Sequence, residues 1–198
     1  MMLIKDLNKS FNGKSIIKDF SREFKTSNIY LLEGPNGVGK TTLLKMIKGI
    51  ITPDTGTIKF NNCSDTKDHT SYIDANNRSF FHRLTVRENL KYFTAINKKS
   101  RNMMMVDDLT KEFGIEHLLD EIFSVLSVGQ MQLIALVRGL IEKPQILLLD
   151  EALINIDKQR IETVSKFLEN FIATKENIVI LCSHATLPIN ISETVTLK

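Results

Sequence analysis

Cysteine is scarce in this sequence of 198 residues, which contains only Cys63 and Cys182. The pair has neither the spacing of metal ligands nor the density of a disulfide framework. Cys182 stands in an apolar run that is typical of a buried small hydrophobic residue. A disulfide-stabilised secreted domain and a cysteine-based metal site are therefore not expected, and a reducing cytoplasm fits the composition.

Long apolar runs are also missing, since none approaches the roughly 18 residues that a membrane-crossing helix needs. The first eleven residues alternate in polarity and include Lys5, Asp6 and Lys9, which argues for a strand and against a signal peptide. If the protein works at a membrane, we expect another polypeptide to supply the membrane span.

A strong charge of either sign is absent as well. The net charge is +3, and the Lys and Arg residues are dispersed, so charge alone gives no reason to expect a nucleic-acid partner. The densest basic group, Lys98–Arg101, is interpreted as a solvated loop. With no internal repeat, the length predicts a single domain over residues 1–198.

Glycine is concentrated at one place, between an apolar run at 29–32 and apolar residues at helical spacing from Leu43 onward. The segment matches Gly-x-x-x-x-Gly-Lys-Thr in the strand, loop and helix context that a phosphate-binding loop requires. Gly34, Gly37 and Gly39 would allow positive φ angles or close approach of the backbone to an anion.

This loop predicts that a nucleoside triphosphate binds at the positive end of the following helix. Lys40 is expected to reach the β- and γ-phosphates, Thr41 to offer its hydroxyl to Mg²⁺, and Thr42 to add a phosphate contact. The residues expected to contact this triphosphate are Gly34, Pro35, Asn36, Gly37, Val38, Gly39, Lys40, Thr41 and Thr42.

The order of elements predicts an α/β fold. Residues 2–26 alternate around Asn12-Gly13, as in an antiparallel β-subdomain. Apolar strands at 146–149 and 178–182 flank a helix at 158–173, which predicts a mostly parallel core sheet covered on both faces. From Leu84 the pattern is helical, with Thr85 and Glu88 spaced as in a capping box, and we expect an inserted helical subdomain at about 77–138.

A second informative stretch is the apolar strand that ends in Asp150 and Glu151. Strands of a parallel sheet deliver such acids to the carboxyl edge, where the glycine loop also begins. Asp150 is expected to hold Mg²⁺, and Glu151 to polarise the water that attacks the γ-phosphate.

Residues 126–130, Leu-Ser-Val-Gly-Gln, resemble the Leu-Ser-Gly-Gly-Gln signature of ATP-binding-cassette (ABC) proteins, and residues 131–140 resemble its signature helix. The resemblance covers almost the whole chain and implies a phosphate-loop ATPase fold of the ABC type. It implies an ATP-hydrolysing subunit whose ATP lies between two such domains, in a homodimer or heterodimer, and which drives a membrane permease from the inner face of the cell membrane.

The resemblance also assigns roles to single residues. Ser127, Gly129 and Gln130 would form a second anion site that serves the partner domain. The remaining assignments are adenine stacking by Phe11, metal contact by Asn76, a dimer contact near Asp157, and γ-phosphate contact by the switch residue His184, which with Lys40 and Glu151 forms the expected catalytic set.

Two departures from the family pattern bear on turnover. Asn76, with Asn77 as the weaker match, stands where the family has glutamine, and Ala152 replaces a proline. The groove at 76–89, including Phe80 and Phe81, is the expected permease contact. A soluble ABC ATPase acting on ribosomes or DNA, and a nucleotide-binding regulator with little hydrolysis, stay open as alternatives.

Overall fold

The computed structural model describes residues 1–61, 63, 66–76, 79–97 and 103–198. Its strands are β1 (Met2–Phe11), β2 (Lys14–Phe24), β3 (Asn28–Glu33), β4 (Thr55–Phe60), β5 (Thr70–Asp74), β6 (Ile146–Asp150), β7 (Ile178–Cys182) and β8 (Glu193–Thr196). Its α-helices are α1 (Lys40–Lys48), α2 (Val86–Ile96), α3 (Met104–Glu112), α4 (Val128–Ile141) and α5 (Lys158–Lys175). In these parts of the chain, no helix combines the length and the apolar composition needed to cross a membrane.

The larger sheet contains five parallel strands in the order β5, β6, β7, β3 and β8. All five residues of β6 and of β7 are buried. Alternate residues of β6 face two different cores, with Leu147 and Leu149 in one and Ile146 and Leu148 in the other. The predicted parallel sheet with both faces covered is therefore confirmed, because successive side chains of a strand point to opposite faces.

The smaller sheet is antiparallel, in the order β2, β1 and β4. Strands β1 and β2 form the predicted hairpin, in which Asn12 and Gly13 both have positive φ at the turn. The inner face of this sheet packs Met2, Ile4 and Leu7 into the same core as α1. The hairpin tip thus comes to lie beside the helix that follows the glycine loop.

The chain between β5 and β6 leaves the sheet and forms α2, α3 and α4. Thr85 caps α2 in the predicted capping box, with the Glu88 N–H donating to its hydroxyl and the Thr85 N–H donating to the Glu88 carboxylate. Buried residues of α2, α3 and α4 share one core with the sheet face that carries Leu147. Burial of this apolar stripe holds the helices against the sheet, since helix propensity alone is weak.

Several predicted boundaries differ from those observed. Helix α5 continues two residues beyond the predicted end at 173, and strand β8 was not predicted. Of the four residues in β8 only Val195 is buried, so the sequence there has no apolar run. Hydrogen bonding to β3, rather than local composition, defines this edge strand. The predictions made for Lys98–Arg101 and for Asn77 lie outside the described residues.

We predict that Gly139→Val destabilises the fold. A Cβ at Gly139 in α4 would lie 2.5 Å from Cδ1 of Ile73 and 2.9 Å from Oγ of Ser71, both in β5. Overpacking of this kind costs about 1–3 kcal/mol, which a urea unfolding curve would show as a lower midpoint. The double variant Gly139→Val with Ile73→Ala removes the nearest obstructing atoms, those of Ile73, and should cost less than the sum of the two single changes. An unchanged midpoint for Gly139→Val would contradict the packing described here.

Candidate functional site

The site lies at the carboxyl edge of the parallel sheet, where three neighbouring strands end. Strand β3 leads into the glycine loop, β6 ends at Asp150, and β7, which lies between them, is followed by Ser183 and His184. Because parallel strands point the same way, these three segments meet at one edge. Residues distant in the sequence are brought together here by sheet order alone.

A cavity of about 380 Å³ opens at this edge. It is lined by Phe11, Ile16, Asn36, Gly37, Gly39, Lys40, Thr41, Thr42, Asp150 and Glu151. All of these residues except Ile16 are among the site residues expected from the sequence, with Phe11 expected through the family resemblance. The structure therefore gathers the loop, the acid pair and the hairpin aromatic around one space.

The glycine loop has the backbone that the motif predicts. Gly34, Gly37 and Gly39 have φ angles of 145°, 79° and 113°. Gly39 is the N-cap of α1, and a Cβ there would lie 2.8 Å from Cδ1 of Ile17. The positive φ and the close contact both favour glycine at this position. Val38 turns toward the apolar core and does not line the cavity.

The Lys40 ammonium is held by its own loop. Its Nζ donates to the carbonyl oxygens of Gly34 at 2.6 Å and of Pro35 at 3.1 Å. These contacts place the positive charge at the cavity while leaving the cavity open. Because an ammonium has three donors, these two bonds leave one donor for an anion in the cavity.

Asp150 is buried, and its Oδ2 accepts a hydrogen bond from the Tyr72 hydroxyl at 2.8 Å. Burial, followed by this bond, raises the pKa of Tyr72 far above its ordinary value. Burial also raises the pKa of the Cys182 thiol, which is aligned with Asp150 across β6 and β7. Both groups thus stay neutral beside the carboxylate, and the tyrosine remains a hydrogen-bond donor.

Glu151 adopts a left-handed backbone with φ of 55°, directly after β6. Its N–H donates to the carbonyl oxygen of Cys182 at 3.1 Å. Its Oε1 lies 3.2 Å from Nε2 of His184. A positive φ in a residue other than glycine costs of order 1 kcal/mol, so the neighbouring strand stabilises an unfavourable turn that brings the carboxylate to the cavity.

Phe11 is positioned by charged neighbours at the hairpin tip. Nζ of Lys9 lies 5.2 Å from the ring centre and also 2.6 Å from a carboxylate oxygen of Asp54. The bond from Lys9, and then the bond from the Ser10 N–H, lower the pKa of Asp54 below its usual value. The Phe11 ring stays 43% exposed, so one surface of it is open to the cavity side.

The turn at Ser127–Gln130, called the signature turn below, does not line this cavity. Ser127 caps α4, with its Oγ accepting from the Gln130 N–H at 3.3 Å and its N–H donating to Oε1 of Gln130 at 2.8 Å. The Gln130 side chain is thus engaged in a capping box, and neither it nor Gly129 reaches the glycine loop.

Asp157 and Asn76 also lie outside the cavity lining. Asp157 caps α5, and its carboxylate bonds both the N–H and the guanidinium of Arg160, which lowers the pKa of Asp157. Asn76 is exposed, and its N–H donates to Asp74. The preceding residue, Ala75, donates to the Asp150 carbonyl at 3.1 Å, which keeps Asn76 close to the acid strand.

Sequence analysis missed two residues of the site, Tyr72 and Ile16. Tyr72 pairs in register with Leu148, two residues before Asp150 and on the same face. The alternation of β5 and β6 contains this information, but it becomes usable only when the pairing register is known. Ile16 lies in the hairpin and carries no chemical signal.

Comparison with known proteins agrees with this geometry. The family model described as ABC transporter matches residues 17–154. The molybdate/tungstate import ATP-binding protein WtpC of Pyrococcus abyssi is 32% identical over 193 residues, which cover 94% of this chain but only 55% of that protein. The cytochrome c biogenesis ATP-binding export protein CcmA of Legionella pneumophila is 32% identical over 195 residues, or 96% of each chain.

A solved structure described as a putative ABC transporter ATP-binding protein, from Pyrococcus furiosus, superposes with a TM-score of 0.84. It is 24% identical and covers 99% of this chain and 96% of that one, so it supports the fold. The family match covers most of the chain, and the curated relatives align over nearly all of it. The chain therefore belongs to the ABC transporter family, as an ATP-binding and ATP-hydrolysing subunit.

Proposed function

We propose that two copies of this chain, or one copy and a related chain, hold ATP between them in a head-to-tail dimer. One observation carries the proposal: residues of the glycine loop and both acids line one cavity, and His184 lies 3.2 Å from Glu151, whereas the Ser127–Gln130 turn lies outside that cavity. That turn starts a helix of 14 residues, whose N-terminus attracts anions. In the proposed dimer, the phosphate that binds at this turn belongs to the nucleotide held by the second chain.

In this arrangement one chain carries out the chemistry. The Lys40 ammonium donates to the phosphates, and Thr42 adds a hydroxyl contact. Glu151 acts as the general base that accepts a proton from the attacking water. His184, next to Glu151, orients that carboxylate and approaches the γ-phosphate. Ser127 and Gly129 of the second chain stabilise the opposite side of the triphosphate.

The cavity also suits Mg²⁺. The described residues contain no cluster of three or more acidic, histidine or cysteine side chains that would hold a metal by itself. This fits an ion that binds through one or two carboxylates, water and substrate phosphates. Asp150 and Thr41, which both line the cavity, would hold it, with Asn76 acting through water. The ion would neutralise phosphate charge.

The proposed contact with the membrane permease consists of exposed aromatic residues in and near α2. Phe80 is buried and stacks on Phe123, so this one of the two adjacent phenylalanines belongs to the core. Phe81 is exposed and packs edge-on against Tyr92, with ring centres 4.9 Å apart. We assign this pair to the permease contact at the inner face of the membrane.

Residues 1–198 form one nucleotide-binding domain, with its helical subdomain at about 77–138.

We predict that Glu151→Gln abolishes turnover and traps the dimer. Loss of a general base lowers the rate by at least about 10²-fold, while the uncharged amide leaves the nucleotide bound. Light scattering with MgATP should show a dimer that the wild-type chain forms only transiently. Glu162→Gln, an exposed substitution of the same type on α5, serves as the control. A Glu151→Gln protein that stays monomeric at saturating ATP would refute the dimer, and a wild-type chain without ATPase activity would favour the regulator alternative.

We also predict that Phe11→Ala weakens ATP binding about tenfold or more, because base–aromatic stacking contributes about 1–3 kcal/mol. Equilibrium titrations with ATP and with inorganic tripolyphosphate distinguish contacts to the base from contacts to the phosphates. Only the affinity for ATP should fall, since Phe11 is expected to contact the base. Tyr92→Ala, an exposed aromatic outside the cavity, is the matched control. An equal loss for both ligands would contradict base stacking.

The double variant Phe81→Asp with Tyr92→Asp should separate the chain from its permease. Two charges placed in an apolar contact would disrupt docking, while ATP affinity should stay within twofold of wild type. Recovery of the chain with the detergent-solubilised transporter is the measurement. Ile50→Asp changes another exposed apolar residue and should have no effect on recovery. Unchanged recovery of the Phe81 and Tyr92 variant would rule out this docking surface.

A further inference from the structure

Gln132 is a buried polar residue of α4 that the ATP chemistry does not use. Its side chain is 1% exposed. Its Oε1 accepts a hydrogen bond from the Asn155 N–H, in the loop between β6 and α5, at 3.1 Å. Rotating the amide by half a turn would place two donors against each other, so the Asn155 N–H determines its orientation.

The other polar atom of this side chain is left without a bond. Nε2 of Gln132 is buried and has no hydrogen-bond partner within the described part of the chain. A buried donor without a partner weakens folding. An apolar side chain of the same length would remove this cost but would also remove the acceptor of the Asn155 N–H, so the two effects on stability oppose each other. What glutamine specifically contributes at this position is its bond to the loop.

Asn155 makes a second contact with the start of α4, through its backbone carbonyl oxygen. A Cβ on Gly129 would overlap the carbonyl oxygen of Asn155, so the backbones of the signature turn and the loop touch directly. The N–H of Asn155 is thus bound by α4, and its carbonyl oxygen lies against the start of the same helix. Leu153 and Ile156, on either side, are buried in the core that also contains Leu133 of α4.

We propose that Gln132 is a positioning residue that joins the Ser127–Gln130 turn and the loop at 154–157 into one rigid unit. This proposal rests on the dimer proposed above, in which the turn and the loop both contact the second copy of the chain. Holding the two together in the monomer removes the cost of ordering them when the dimer closes. Gln132 touches neither nucleotide nor partner and acts through Asn155.

Gln132→Met tests the coupling, because methionine has similar length and no strong acceptor. In the nucleotide-free monomer, hydrogen exchange of the 154–157 and 127–130 amides should accelerate at least about threefold. The urea midpoint should change little, because removal of the unpaired Nε2 offsets loss of the bond to Asn155, whereas a purely structural role predicts a lower midpoint. Asn155→Ala keeps the backbone N–H and should leave exchange unchanged.

Dimer formation provides the functional test. In the Glu151→Gln background, Gln132→Met should raise the ATP concentration for half-maximal dimerisation about tenfold, since each dimer contains two such bonds and one net hydrogen bond contributes up to about one order of magnitude. ATP affinity of the monomer should stay within twofold. Thr110→Val, a buried polar change in α3, is the control and should leave dimerisation unaltered.

The outcomes distinguish this inference from the proposed function. If Glu151→Gln itself does not dimerise with ATP, the head-to-tail dimer fails, and hydrogen exchange in the monomer still decides the coupling. If Glu151→Gln dimerises but Gln132→Met changes neither exchange nor dimerisation, the positioning role fails and the dimer stands. Equal losses of stability, ATP affinity and dimerisation in Gln132→Met would also overturn the role.

Discussion

The parallel pairing of β6, β7 and β3 in one register is the constraint on which the site depends. Leu149, Leu181 and Leu31 lie in one row of the sheet. Glu151, His184 and Gly34 follow that row within two or three residues and therefore share one edge. A slip of one residue in β6 would turn Asp150 to the opposite face, away from Tyr72. Burial on both faces of the sheet opposes such a slip, because it would expose or displace a whole set of apolar side chains.

The same burial affects two titratable groups at this edge. It raises the pKa of Tyr72 and Cys182, so both stay neutral next to Asp150 even at alkaline pH. Asp150 is therefore held by a donor and not repelled by a second anion at that contact. The left-handed turn at Glu151 is stabilised by the neighbouring strand, because the carbonyl oxygen of Cys182 accepts a hydrogen bond from the Glu151 N–H. The sheet thus offsets the backbone strain at the edge where the cavity lies.

How much could be predicted from the sequence depends on how local each feature is. The glycine loop, the acid pair and the capping box at Thr85 are encoded within a few residues each, and the structure has them where they were predicted. Strand β8 has one buried residue and exists through its pairing with β3. The Tyr72 bond to Asp150 and the Gln132 bond to Asn155 join residues far apart in the sequence, so no local pattern indicates them.

The fold divides the proposed nucleotide contacts between two surfaces of one chain, and this division makes nucleotide and partner affinities reciprocal. If ATP strengthens dimerisation by some factor, the second chain must strengthen ATP binding by the same factor. In the proposed dimer, the work done on a permease would come from the difference in nucleotide contacts between the open and closed states, because a ligand shifts an equilibrium only by its differential affinity. A loosely held signature turn would reduce that difference through its ordering entropy. The contacts of Asn155 with Gln132 and Gly129 therefore matter most in the monomer, before any nucleotide is shared.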